Sequence, residues 1–300
     1  MLDVCLLGTG GMMPLPERAL TSLYVRCNGK AVLIDCGEGT QIAIRQSGLR
    51  FKPIDAILIT HFHADHISGL PGLLLTLGNE GRTEPVHMYG PVGLERVVGS
   101  LRVIVGELPF EIVYHELTAG QVTDFSCGEL EAAAIPMDHG MPCFGYRLDL
   151  NRPGRFDPVR ARERGVPVTL WSRLQKGQAL DGFVPEDVLG EPRPGLRLVY
   201  ATDSRPVPSL TELSANADLL VLEGMFGEPE KLGRAVEARH MLMQEAAAIA
   251  AEAGAKQLLL THFSPANPEP EMFLEELRGI FPATVIGTDG YCIQLRFPEA

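Results

Sequence analysis

At 300 residues, with 45% hydrophobic and 21% charged side chains, the chain has an ordinary globular composition, long enough for one large domain or two small ones. No apolar run approaches the roughly 20 residues a membrane helix needs, and the opening "MLDVCLLGTG" lacks the basic and small-residue features of a signal peptide. A net charge of −12 argues against a general nucleic-acid binder, whose affinity rests on phosphate attraction.

In chain order, short aliphatic runs bounded by Gly, Pro, Asn and Asp predict strands at "LDVCLLG", "SLYVRC", "AVLIDCG" and "DAILIT". They continue at "VHMYG", "EIVYHEL", "ELEAAAIPM" and "FGYRLDL", then at "LRLVYAT", "DLLVLEG", "KQLLLTH" and "YCIQLRF". Helices are predicted at "GTQIAIRQSG", at "PVGLERVVGSLRVIV" and at "LMQEAAAIAAEAG", the last closed by Gly254 as a C-terminal cap. The alternation predicts layered sheets and helices, an α/β class. Residues 151–195 differ, being rich in Pro, Gly and Arg. They read as an excursion from the core with one short helix, Pro158 to Arg164. The six cysteines form no C-x-x-C pair, and several sit in apolar runs. Free thiols, a reducing compartment and hence the cytoplasm are expected.

Charge is unevenly placed. From Arg147 to Lys176 there are eight basic and three acidic residues, a net of +5 in a chain of −12. Such a segment is either a solvated face or a polyanion contact, and Arg160, Arg162 and Arg164 are its densest run.

Ligand-type residues follow predicted strands repeatedly: His61, His63, Asp65 and His66 after "AILIT", His139 after "EAAAIPM", Asp203 after "RLVYAT", His262 after "QLLLT". Loops at the carboxyl ends of strands converge in open α/β sheets, so these could meet at one place. Imidazole is the usual neutral ligand for zinc, and three of the chain's eight histidines fall within six positions. Seven such residues suffice for two metal ions if one carboxylate bridges, an arrangement suited to hydrolysis. The donors fit Zn²⁺, with Mn²⁺ or Fe as alternatives. Taken singly, His139, Asp203 and His262 could each be a cap or turn residue. His87 and His115 lie inside strands and read as structural. His240 shares a helical spacing with Val236, Met243, Ala247 and Ala250, which would make it a packed core residue. "GTGG" at 8–11 has neither the third glycine of a dinucleotide fingerprint nor the Lys-Ser/Thr of a phosphate loop. It is expected to make a tight turn close to the site. The absence of G-x-S-x-G argues against a serine hydrolase.

"THFHADH" matches the H-x-H-x-D-H signature of the metallo-β-lactamase superfamily. With "LGTGGMMP", "LIDCGEGTQ", "HISGLPGLL", "YGPVGLERVV", "DHGMPCFGYRL", "YATDSRP" and "LLLTHFS" in order, nearly the whole chain resembles the ribonuclease Z family. The resemblance implies a four-layer αββα sandwich, a single domain over 1–300, with a protruding arm at 151–195 inserted between the His139 and Asp203 loops. It implies one zinc on His61, His63, His139 and Asp203, and a second on Asp65, His66, Asp203 and His262. It gives Asp65 as orienter or base for the attacking hydroxide and His240 as proton donor to the leaving oxygen. It implies a homodimer, precursor tRNA as partner gripped by the arm, and removal of 3′ trailers by phosphodiester hydrolysis to leave a 3′-OH. A metallohydrolase of small phosphodiesters or other esters is the enzymatic alternative, and a non-catalytic metal- or RNA-binding protein the other. The chain departs from the family pattern at Leu242, where a Ser or Thr is usual, at Ala266, where an Arg is common, and at "VTLWSRL", where the arm usually has a Gly-Pro-rich stretch.

Overall fold

The computed structural model describes residues 1–298. The amino-terminal half builds a sheet from β1 (Leu2–Gly8), β2 (Ser22–Cys27), β3 (Lys30–Ile34), β4 (Ile54–Leu58), β5 (Val86–Pro91) and β6 (Ile112–Leu117). The second sheet takes β7 (Thr123–Cys127), β8 (Leu130–Pro136), β9 (Phe144–Arg152), β10 (Arg193–Ala201), β11 (Leu219–Glu223), β12 (Leu258–Thr261) and β13 (Thr284–Ile286). The last strand, β14 (Cys292–Leu295), returns to the first sheet beside β1. Each sheet thus has seven strands among the described residues, ordered 14-1-2-3-4-5-6 and 13-12-11-10-9-8-7.

Most of these strands are buried on both faces, which is why they read as unbroken aliphatic runs rather than alternating ones. Alternate residues still part company. Leu2, Val4 and Leu6 of β1 join the core between the sheets, while Cys5 and Leu7 point to the outer side. Leu196, Leu198 and Tyr200 of β10 face the same inner core, and Val199 and Ala201 face outward. The outer side of the first sheet is covered by α1 (Thr40–Gln46), α2 (Ala64–Ile67), α3 (Leu70–Asn79) and α4 (Leu94–Leu101), through Ala43, Ile44, Leu70, Leu73, Leu77, Leu94 and Val98. The result is the expected helix–sheet–sheet–helix stack.

The arm leaves at the end of β9 and returns into β10. It carries α5 (Pro158–Glu163) and a second helix, α6 (Val168–Leu174), where the sequence predicts only one. It has a small core of its own: Ala161, Val166, Leu174 and Val188, flanked by Phe156, Leu170, Trp171, Phe183 and Leu189. Asp157 caps α5, its carboxylate accepting from the amides of Val159 and Arg160. The far helices are α7 (Pro208–Leu213), α8 (Leu232–Ala238), α9 (Met243–Glu252) and α10 (Leu274–Ile280), of which α7, α9 and α10 cover the second sheet. Gly254, with φ of 62°, closes α9 as expected.

Two expectations are corrected. Cys5 and Cys292 are not free thiols: they oppose each other in the antiparallel β1–β14 pair, with Cα atoms 4.0 Å apart, and form a disulfide. A separation of 287 residues hides that adjacency from a linear reading. Cys27, Cys36, Cys127 and Cys143 are free and buried, as expected. His240 is not on a helix face. Arg239 adopts φ of 57°, which ends α8 and throws His240 into the connection to α9. Among the described residues, no helix is long and apolar enough to cross a membrane.

Candidate metal centre

The site lies beyond the carboxyl ends of β4, β8, β10 and β12. After β4 the chain runs through Thr60 to His61, and His63 opens α2, placing Asp65 and His66 in its first turn. His139 follows β8, Asp203 follows β10 and His262 follows β12. Asp203 and His262 both take a left-handed backbone, with φ of 54°. Such a turn costs a non-glycine residue of order 1 kcal/mol or more and recurs where geometry serves function. Here it ends the strand and swings the side chain across the sheet edge.

All seven sequence-predicted ligands come together. The donor atoms of His61, His63, His139 and Asp203 lie within 4.8 Å of one another, and so do those of Asp65, His66 and His262. Asp203 joins the groups. Its Oδ2 lies 3.8 Å from His61 Nε2 and 4.0 Å from His139 Nε2, while its Oδ1 lies 3.2 Å from both His66 Nε2 and His262 Nε2. Within the first group His63 Nδ1 sits 2.9 Å from His61 Nε2 and 3.3 Å from His139 Nε2. In the second, His66 Nε2 and His262 Nε2 are 3.2 Å apart.

These distances test the fit to metal. Ring nitrogens are turned on one another from several sides, and the buried Oδ1 of Asp203 has no directed hydrogen bond. Leaving such groups unpaired in a dry interior is costly. Divalent cations between the nitrogens and Asp203 would satisfy them together, and a His/Asp donor set suits zinc. Burial opposes charge on Asp203, but the surrounding His262, His66 and His61 hold its carboxyl well below the usual range. Burial also opposes charge on Asp65, yet His262, His66 and the Met12 amide keep it low. Burial, then the neighbouring His66, push His61 down toward the neutral form that ligates.

Three further groups hold His66 and His240 in place. Asp35, also left-handed at φ of 58°, accepts from His66 Nδ1 at 2.8 Å and from the amide and hydroxyl of Thr60. That bond fixes the His66 tautomer and leaves Nε2 turned toward His262 and Asp203. Glu223, at the end of β11, accepts from the Ser204 amide at 2.8 Å and faces His240 Nδ1 at 3.0 Å. Arg205 donates to the carbonyl of His240 and pairs with Glu245, fixing the loop from the other side. Both carboxylates stand at strand ends, in "VLIDCG" and "VLEGM", so the rule that points to the seven donors could have pointed to them too.

His240 therefore stands at the rim with Nδ1 engaged by Glu223 and with Nε2 making no hydrogen bond among the described residues. Burial disfavours its charge, but Glu223, then Asp203 and Asp65, raise its pKa to about 9. The "GTGG" turn reaches the site as expected. A Cβ on Gly11 would lie 2.7 Å from His262 Cε1, so only glycine fits there. The next amide, Met12, donates to Asp65 Oδ2 at 2.7 Å.

The arm arginines are not alike. Arg160 is tied inward, donating to the carbonyl of Leu189 at 2.9 Å and lying 3.4 Å from Glu191. Arg162 is exposed, and Arg164 is exposed with Asp187 at 3.9 Å. Leu242 holds the N-cap position of α9 with no side-chain cap bond, although its own amide donates to Glu245 at 2.9 Å.

A family model described as the metallo-beta-lactamase superfamily matches residues 16–151, and a beta-lactamase superfamily domain matches 165–263. The chain is 52% identical over 303 residues to the ribonuclease Z of Lachnoclostridium phytofermentans, covering 100% of this chain and 99% of that protein. It is 48% identical to the ribonuclease Z of Lachnospira eligens, again covering 100% and 99%. Among solved structures, the short form of human tRNase Z is similar with a TM-score of 0.72 and 27% identity, covering 98% of this chain and 100% of that one. The Bacillus subtilis metallo-beta-lactamase fold protein YhfI, at 21% identity and a TM-score of 0.70 over 98% and 100% of the two chains, shares the fold.

Proposed function

Because the chain belongs to the ribonuclease Z family of the metallo-β-lactamase superfamily, we propose that it is the metal-dependent endoribonuclease that removes 3′ trailers from precursor tRNA. The observation that carries the reading is the convergence of seven His and Asp donors on the split carboxylate of Asp203.

We assign His61, His63 and His139 to one zinc ion, Asp65, His66 and His262 to a second, and Asp203 to both. Bound there, the ions supply Lewis acidity toward the phosphate and nucleophilic strength to water. The chain's own residues do the rest. Asp35 and Thr60 fix the imidazoles before substrate arrives, so little reorganisation is needed during reaction. Asp65, held by the Met12 amide, orients the attacking water and accepts its proton. His240, charged at neutral pH and steadied by Glu223 and Arg205, gives its proton to the leaving 3′ oxygen. The products are a tRNA with a 3′-OH and a trailer with a 5′-phosphate.

The arm, 151–195, belongs to the same domain in this reading and holds the tRNA body through Arg162 and Arg164, with Arg160 bracing α5. A homodimer and a cytoplasmic location complete the assignment. The four buried free thiols favour a reducing compartment, whereas the Cys5–Cys292 pair does not. The test is incubation with a precursor tRNA bearing a 3′ trailer and mapping of the product ends. Trailer release with a tRNA 3′-OH supports the reading. Turnover of small phosphodiesters alone would replace it with the small-substrate hydrolase.

A further inference from the structure

The stretch Gly10–Met13 forms a lip beside Asp65, and it is unusually well held. Gly11 donates to the Phe263 carbonyl at 3.0 Å, Met12 to Asp65 Oδ2 at 2.7 Å and Met13 to the Gly11 carbonyl at 2.8 Å. At the base of the loop, Asp289 accepts from the Thr9 amide at 2.9 Å, the Thr9 hydroxyl at 2.7 Å and the Ala19 amide at 2.6 Å. A loop pinned this way still carries Met12 and Met13, which are 61% and 59% exposed. Met12 is the less expected of the two. Its φ is 67°, in the left-handed region that favours glycine. The bond to Asp65 uses only the backbone amide, which a glycine would supply equally. Burial does not repay the conformational cost, because most of the side chain faces solvent.

We propose that Met12 is a substrate-binding residue whose thioether packs on a nucleobase next to the scissile phosphate. The inference rests on the endoribonuclease reading above. Position argues for it: the Met12 amide touches the carboxylate assigned to the attacking water, so a phosphodiester seated there brings a flanking nucleotide against the Met12 side chain. Chemistry argues for it as well. A flexible, polarisable sulfur gains from contact with an aromatic ring and adapts to any base. Such packing is tolerant of sequence, since every base presents a π-face. It also adds affinity without positive charge, in a chain whose net charge is −12.

The test uses the full-length, metal-loaded enzyme and precursor tRNAs carrying one abasic ribonucleotide immediately 5′ or immediately 3′ of the cleaved bond, each compared with its intact parent. The wild type is expected to prefer the intact substrate at one of these positions by about three- to tenfold in kcat/KM. Met12→Gly, which relieves the left-handed strain and keeps the amide, should fold with an unchanged or raised melting temperature and lose that preference. Met12→Gln keeps the strain and the length but loses the apolar face, and should lose most of it as well. An equal preference in the wild type and both variants would overturn the proposal, as would a wild type indifferent to the missing base. If the wild type cleaves none of the precursors, the tRNA reading itself fails, and the inference with it.

Discussion

His240→Ala is the most instructive perturbation, because a catalytic and a packing role predict different patterns for it. The side chain of Glu223 is fully buried, with one oxygen held by the Ser204 amide and the other facing His240 at 3.0 Å. Removing the imidazole leaves that second oxygen unpaired. An unsatisfied buried acceptor costs roughly 1–3 kcal/mol, more when charged. For a chain of this size that lowers the melting temperature by about 2–4 °C per kcal/mol. A melting drop alone therefore decides nothing. Adding Glu223→Gln removes the stranded charge while keeping an oxygen for Ser204, so His240→Ala/Glu223→Gln should recover part of the stability.

Rate should not recover with it. As proton donor, His240 contributes about 10²–10⁴-fold on a leaving group that needs a proton, and the ribose 3′ oxygen does. A nitrophenolate leaves without one. Steady-state kinetics on precursor tRNA and on a bis-nitrophenyl phosphodiester should show a large kcat loss on the first and a much smaller loss on the second, in both variants. Equal losses on the two substrates, reversed along with stability in the double variant, would refute the role and make His240 a structural partner of Glu223.

Three further outcomes are expected. Elemental analysis of protein purified without chelator should give about two zinc ions per chain, and chelation should lower the melting temperature, because metal bound only to the folded state stabilises it; a value near zero with activity intact would overturn the metal assignment. Asp65→Ala should abolish hydrolysis of both substrates while the fold survives, with metal content measured on the same sample; near-normal turnover would remove Asp65 from the reaction. Replacing Arg162 and Arg164 by alanine should raise KM for precursor tRNA and make the logarithm of the binding constant less dependent on the logarithm of salt concentration, by about one unit of slope for each phosphate no longer neutralised; Arg160→Ala should instead lower the melting temperature, since its bond to the Leu189 carbonyl ties the arm together.

The seven clustered donors are legible because their signal is local or follows one rule. His61, His63, Asp65 and His66 are close in sequence, and His139, Asp203 and His262 each follow an aliphatic strand. The strands were legible because burial on both faces leaves unbroken aliphatic runs. β7 and β13 were not, being short and partly polar: "TDFSC" and "TVI" carry little pattern. The second helix of the arm, α6, was hidden by a composition that suggested no core, although Trp171, Leu170 and Leu174 pack with Val166 and Val188.

Two further misses, at Asp35 and at His240, share a cause. A sequence states which residue stands at a position, not which side of the Ramachandran map it occupies. Asp35, Asp203, His262, Met12 and Arg239 all have positive φ, and all five are close to the chemistry. Where the linear rule coincides with such a turn, at Asp203 and His262, the side chains reach the cluster. At Arg239 the helical spacing runs into a residue that reverses the chain, so His240 leaves the helix face that the spacing alone implies. At Asp35 the residue that locks His66 looks in sequence like the mere end of a strand. At Asp35, Asp203 and His262 the left-handed turn comes just after a strand, and there the side chain joins the cluster at the sheet edge. A chain that kept every side-chain identity but could not hold those five turns would keep the signature and lose the site.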